Sequence, residues 1–284
     1  MRVLSDALEN NQDGLQMNIC QAAFRPLPTE ILFMTFTLGL VMSQAALAEL
    51  SDEPLLGPCL NVRPAYDGSA SQHAELVPVV RYFGQTWFVR STQGILEGGI
   101  RTELVPGLNI GGQIAYEPGR KTSESSFLKS YGISDVDSGA SLGAHLEWNH
   151  KFGPMPVMLL ARARQHTKSD RGAQADLRLS AGIYGNGSFS AGVFTQATWA
   201  NAKSTRSIYD ITPQQSTATG LPAYSAGSGW LFASFGLLWS VDLNPKWIVV
   251  GSIESRRLQG DATSSPLVER KSNYYASAGL AYRF

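Results

Sequence analysis

Four histidines are the first place to look for chemistry in this sequence. His145 and Glu147 are two apart, so on a strand they share a face, and His150 follows just beyond. Such a pair offers a nitrogen and a carboxylate to a metal, but a credible site needs about three or four convergent ligands. With so few imidazoles, a polar pair on an inward face is the simpler expectation. His73 beside Gln72 and His166 between Gln165 and Thr167 raise the possibility of Ser/His hydrolysis. Nothing resembles a nucleophile elbow, and no carboxylate is fixed by spacing to orient either ring. In a chain this rich in hydroxyls, such neighbours arise by chance. No catalytic, cofactor-binding or metal residue is therefore assigned.

The other reactive side chains are charged and fall on one parity. Glu147, Arg162, Arg164, Asp176, Arg178, Glu254 and Arg256 alternate with apolar residues. "SLGAHLEWNH" sets Leu142, Ala144, Leu146 and Trp148 against Ser141, Gly143, His145, Glu147 and Asn149. "ADLRLSAGIYG" sets Leu177, Leu179, Ala181 and Ile183 against Asp176, Arg178, Ser180 and Gly182. A basic residue turned toward lipid would cost about 2–4 kcal/mol near the midplane, so these charges belong inside. There they either select ions or pair with one another and close the lumen. The second reading is preferred, because open aqueous channels come with roughly 16–18 strands.

The elements that carry these residues are alternating segments of about ten residues, separated by Gly, Pro, Asn and Asp, which is the pattern of a membrane barrel. Their apolar faces begin or end in Trp, Tyr or Phe, as interfacial girdles do. The chain is thus expected to be all-β, a transmembrane antiparallel up-and-down barrel of about twelve strands, from Leu55 to Phe284. "YGNGS", "FGPMP" and "DLNPKW" read as tight periplasmic turns. The segments from Glu117 to Asp137, His166 to Gly172, Lys203 to Gly227 and Arg257 to Ser272 read as extracellular connections. The last strand places Tyr274, Ala276, Ala278, Leu280, Tyr282 and Phe284 on one face.

Ahead of the barrel, Ile31 to Ala48 carries no charge and ends in Ala46-Leu47-Ala48. Residues 1–48 read as an upstream extension, within which Met17 is a candidate start, and a secretory signal cleaved before Glu49. An uncleaved spanning helix is the alternative. Residues 49–284 form the barrel domain. Removing 1–48 takes Arg2, Arg25 and the acids Asp6, Glu9, Asp13 and Glu30 from totals of 23 and 23, leaving 21 basic and 19 acidic residues. This near-neutral balance argues against nucleic acid as a partner. Cys59 is left alone, so no internal disulfide is expected.

The segment "YDITPQQSTATGLPAYSAGSG" (Tyr209 to Gly229) resembles a long, specific stretch of the MipA/OmpV family of outer-membrane proteins. "RPAYDGS", "GISDVDSG", "LQGDATSSPLV" and "SAGLAYRF" match in family order, so the resemblance covers nearly all of the mature chain. Two places depart from it. Pro58-Cys59 is expected to interrupt a first strand that the family builds from alternating Gly and apolar residues, since proline lacks a ladder N–H. Asp210-Ile211 replaces an aromatic-Gly pair.

The resemblance implies residence in the outer membrane of a Gram-negative bacterium, contact with its lipid, and a scaffold role. The family's named member joins a lytic murein transglycosylase to a bifunctional penicillin-binding protein. Other members are described as porin-like or as surface adhesins. Tyr282 and Phe284 are the expected label for the barrel-assembly machinery. Tyr209, Pro213, Leu221, Pro222 and Tyr224 are the candidate partner surface, although a connection folded into the barrel mouth is the blander reading of that segment. Three functions remain open: a non-enzymatic scaffold in cell-wall synthesis, a narrow porin or adhesin, and a lipid-modifying enzyme.

Overall fold

A computed structural model describes residues 51–92 and 94–284. The expected extension and signal at 1–48 lie outside them. Twelve antiparallel strands close into one barrel, each paired with its neighbour in sequence and β1 with β12. The strands are β1 (Leu55–Pro64), β2 (Gln72–Phe83), β3 (Trp87–Thr92), β4 (Ile95–Val105), β5 (Leu108–Glu117) and β6 (Gly139–Phe152). They continue as β7 (Met155–His166), β8 (Ala173–Asn186), β9 (Phe189–Ala200), β10 (Gly229–Asp242), β11 (Trp247–Leu258) and β12 (Ser272–Arg283). Helix α1 (Ser126–Tyr131) lies in the β5–β6 connection, and α2 (Ala202–Tyr209) and α3 (Pro213–Thr219) lie between β9 and β10.

Alternation along the strands decides which way each side chain faces. Leu142, Leu146, Leu177, Leu179, Phe235, Ile253 and Leu280 are exposed on the outer wall. Ser141, His145, Glu147, Asp176 and Arg178, on the other parity, are buried. Exposed aromatics collect at both rims: Tyr116, Trp199, Trp230 and Tyr274 toward one end, Trp87, Tyr184, Trp247 and Phe284 toward the other. A closed ring with an apolar exterior is the sheet solution that hydrocarbon favours, and here it closes everywhere but along the upper part of β2, where β3 is too short to pair.

One end carries the tight turns and both ends of the barrel sequence; the other carries the long connections. By the usual rule these are the periplasmic and extracellular ends. The long connections fold down over the mouth in two small apolar clusters. One gathers Tyr209, Leu231, Phe232, Leu258 and Ala262. The other gathers Ala65, Tyr66, Leu128, Ile133, Ile211 and Leu267.

Two local expectations need correction. Pro58 does not interrupt β1, which runs unbroken to Pro64 with Pro58 directly opposite Pro78 of β2. The β1–β12 ladder has no pair at Gly57 or Pro58, so the missing N–H falls where pairing already lapses. The segment from Lys203 to Gly227 is not simply a loop. Thr212 caps α3 in a full capping box with Gln215, Pro213 follows at the first turn, and Gly220 ends the helix with φ 75°.

Candidate functional site

The densest polar chemistry is a layer of charge across the lumen. The β3–β4 hairpin sets Arg90 directly opposite Glu97, and their Nε and Oε1 atoms lie 2.5 Å apart. Arg90 also reaches Glu147 of β6 at 2.5 Å. Across the barrel, Arg162 of β7 contacts Glu97 at 3.1 Å and Asp176 of β8 at 2.8 Å. Arg164 joins Asp176 at 3.0 Å and lies 3.5 Å from Glu117. Gln113 of β5 donates to Glu97 at 3.0 Å, and Asn149 donates to Glu147 at 2.9 Å. The side chains of Glu97, Arg162 and Asp176 have no exposed surface. Charge so deeply buried is tolerable only when paired and hydrogen-bonded, and here each charge has a partner of opposite sign.

Of the seven charges assigned to the interior from sequence, Glu147, Arg162, Arg164 and Asp176 meet in this layer. Arg178 places its guanidinium 3.7 Å from the ring centre of Phe194. Glu254 and Arg256 form a separate group, where Arg256 holds Glu254 and Asp67 at 3.0 Å each. Tyr275 donates to that same Asp67. Arg90 and Glu97, which knit the main layer together, escaped the sequence reading. The signal that could have found them is the hairpin "FVRSTQGILEGGI", in which Leu96 and Ile100 face outward and put Glu97 inside.

His73 lies 3.8 Å from Glu124, and the other three histidines make packing or hydrogen-bond contacts. His145 packs edge-on against Phe88, with ring centres 5.1 Å apart. His150 is on the opposite face of the strand, stacked on Trp148 at 5.2 Å. His166 accepts the Lys168 N–H at 3.0 Å. Among the described residues, no three His, Cys, Asp or Glu side chains converge to hold a metal.

The segment considered as a partner surface is largely packed into the mouth. Tyr209 is buried and donates to the Asp67 carbonyl at 3.0 Å. Tyr224 donates to the Asp261 carbonyl at 2.6 Å and pairs with Ile211 in a β-bridge. Leu221 packs against the second apolar cluster, while Pro213 and Pro222 stay exposed. Burial raises the Tyr66 and Tyr209 hydroxyls above the ordinary tyrosine value, chiefly by desolvation. At the opposite end, Tyr282 meets Trp247 with ring centres 5.2 Å apart, and Phe284 stacks on Tyr82 at 6.4 Å.

Cavities lie on either side of the charge layer. One of about 340 Å³ near the tight turns is bordered by Arg90 and Glu147. Another of about 380 Å³ beneath the long connections is bordered by Arg164 and Arg256. Glu97, Arg162 and Asp176 lie fully buried in the layer between them, and a third cavity of about 150 Å³ along β1, β2 and β10 to β12 shares Arg81 and Thr92 with the first and Ser91 and Tyr275 with the second.

No curated protein matches the chain. Among solved structures it is similar to the NanC porin, at 12% identity over 81% of this chain and 100% of that one, with a TM-score of 0.46. It is also similar to an outer membrane channel from Pseudomonas putida, at 10% identity over 82% and 96%, TM-score 0.49. LpxR from Salmonella typhimurium aligns at 7% identity over 80% and 100%, TM-score 0.45. The family model described as MltA-interacting protein MipA matches residues 56–284, from the second residue of β1 to the last of the chain. This chain is a twelve-stranded outer-membrane barrel, and it belongs to the MipA family.

Proposed function

We propose that this protein is a non-enzymatic scaffold of the outer membrane that holds a murein-cleaving lytic transglycosylase beside a bifunctional penicillin-binding protein. The observation that carries this reading is the filled side of the lumen: a layer of ion pairs, fully buried at Glu97, Arg162 and Asp176, occupies it along β3 to β8. A barrel so filled is suited to presenting surfaces rather than passing solutes. The family description, MltA-interacting protein, supports a transglycosylase as one partner.

The face offered to wall enzymes would be the tight-turn end, where the barrel sequence begins and ends. The segment from Tyr209 to Tyr224 belongs to the opposite end, so it is an unsuitable contact for periplasmic enzymes. Crosslinking in intact envelopes, followed by affinity purification of the barrel, should recover a lytic transglycosylase and a penicillin-binding protein. Recovery of neither would refute the scaffold. Planar-bilayer recording should give no stable conductance step, and a regular step would favour the porin reading instead.

A further inference from the structure

The wall of this barrel is incomplete on one side. Among the described residues, β2 and β3 pair only at Arg81, Tyr82 and Phe83. Just above, the Ser91 hydroxyl takes the place of a ladder partner, accepting the Val80 N–H at 3.0 Å. The β3–β4 turn comes immediately afterwards, so β2 from Gln72 to Pro78 has no strand on that side. Pro78, on this bare edge, has no N–H to offer.

The gap is at membrane depth. Leu76 is 75% exposed and sits opposite Leu60, which in turn faces Ala278, midway between the rim residues Tyr274 and Tyr282. Unpaired backbone at this level is tolerated only against protein or a filled cavity. The upper cavity supplies one. It is bordered by Arg120, Arg164 and Arg171 inside and also by Pro78, Leu96 and Tyr116, whose side chains face outward. That space therefore reaches the wall beside the unpaired edge of β2.

Of the arginines at its inner end, Arg164 is paired with Asp176 and lies near Glu117, and Asp67 and Glu75 also border the space, but Arg120 and Arg171 are short of anions. Arg120 and Arg171 are 4% and 8% exposed. Neither has a carboxylate within ion-pair distance among the described residues. Both lean instead on backbone carbonyls, Arg120 on Ile208 and Ser134, Arg171 on Asp137 and Pro118. Arg120 Nε and Arg164 Nε are buried without a hydrogen-bond partner. Desolvation first holds Arg120 and Arg171 below the ordinary arginine value; Tyr66, Tyr209 and Asp135 oppose it at Arg120, where repulsion from Arg171 adds to it, and Glu117, Asp170 and Asp137 oppose it at Arg171. A bound anion would relieve each of these deficits.

We infer that this side opening is a binding site for an anionic lipid of the outer leaflet, its phosphate held among Arg120, Arg164 and Arg171 and an acyl chain leaving past Pro78, Leu96 and Tyr116. The site does not depend on the scaffold reading. The test is native mass spectrometry of the full chain purified from membranes in neutral detergent. It is titrated with phosphatidylglycerol, with phosphatidylcholine of the same chains, and with glycerol 3-phosphate. Phosphatidylglycerol should bind at least tenfold more tightly than either of the others, and the R120Q/R171Q variant should lose that preference. Equal binding of the two lipids, or of glycerol 3-phosphate, overturns the proposal, as does an unchanged preference in a folded variant. Amide exchange in the unaltered protein gives an independent reading. Leu76 and Ala74 should exchange at least tenfold faster than Leu60 and Val62 across the ladder, and slow when phosphatidylglycerol is added. Equal protection of the two pairs would also overturn it.

Discussion

Glu97→Gln removes one negative charge from the centre of the lumen and keeps the shape of the side chain. In the native barrel Glu97 binds Arg90 at 2.5 Å and Arg162 at 3.1 Å and accepts from Gln113 at 3.0 Å. Arg90, Arg162 and Arg164 face Glu97, Glu147 and Asp176 at the centre of the layer, with the less buried Glu117 beside Arg164. The variant leaves Arg90 and Arg162 each short of one charged partner. Breaking a buried pair from one side costs about 3–5 kcal/mol. Arg90 keeps Glu147 and Arg162 keeps Asp176, which points to the lower end, about 3 kcal/mol. For a domain of this size each kcal/mol moves the midpoint by about 2–4 °C, so a fall of roughly 6–12 °C is expected. The measurement is the temperature at which the detergent-solubilised barrel loses its compact gel mobility. Lys168→Gln serves as the control, because its pair with Asp137 is exposed and worth about 0–1 kcal/mol. Adding Arg162→Met to Glu97→Gln rebalances the layer and should recover part of the loss. If Glu97→Gln matched the control, or if the double variant were simply additive, the interior would be too wet or too loose for this reasoning.

Three further substitutions probe other parts of the fold. Leu179→Arg turns a cation toward acyl chains on the outer face of β8 and should cost about 2–4 kcal/mol, read as a lower urea midpoint for folding into vesicles. Thr212→Ala removes the acceptor that Gln215 N–H reaches at 3.2 Å. It should weaken the start of α3 by about 1 kcal/mol, seen as faster amide exchange there with the strands unchanged. Gly236→Ala would put a Cβ 2.4 Å from the Phe194 ring and 2.6 Å from the Ile253 carbonyl. Overpacking of that kind costs about 1–3 kcal/mol, and the thermal midpoint should fall accordingly.

Period-two alternation was legible along the chain because each strand has lipid on one side and packed polar groups on the other. The approximate extents of β6, β7 and β8, the tight turns and the long connections all follow from that contrast. What alternation does not carry is register between strands. Arg90 and Glu97 lie on the shortest strand and its neighbour, and only their direct opposition makes them the hub of the charge layer. The early end of β3 was hidden for the same reason, since a half-length strand has too few residues to display a period. Helices α2 and α3 were missed differently. Thr212-Pro213 and Gly220 are ordinary start and stop signals, but they sit in a polar stretch that was read as a loop. Pro58 misled because its cost depends on whether a neighbour needs its N–H, and the β1–β12 ladder lapses there.

The union of β1 with β12 carries a lesson about how the molecule comes into being. Leu55 and Leu56 meet Arg283 and Tyr282, so the cylinder is joined by the two most distant stretches of the described chain. Every other neighbour can zip from a hairpin, but this last join must wait until all twelve staves exist and have curled round. Until then the ribbon has two sticky margins and an oily back, a form that would clump in water. Birth of the barrel is therefore a single late event, completed where the membrane can receive it.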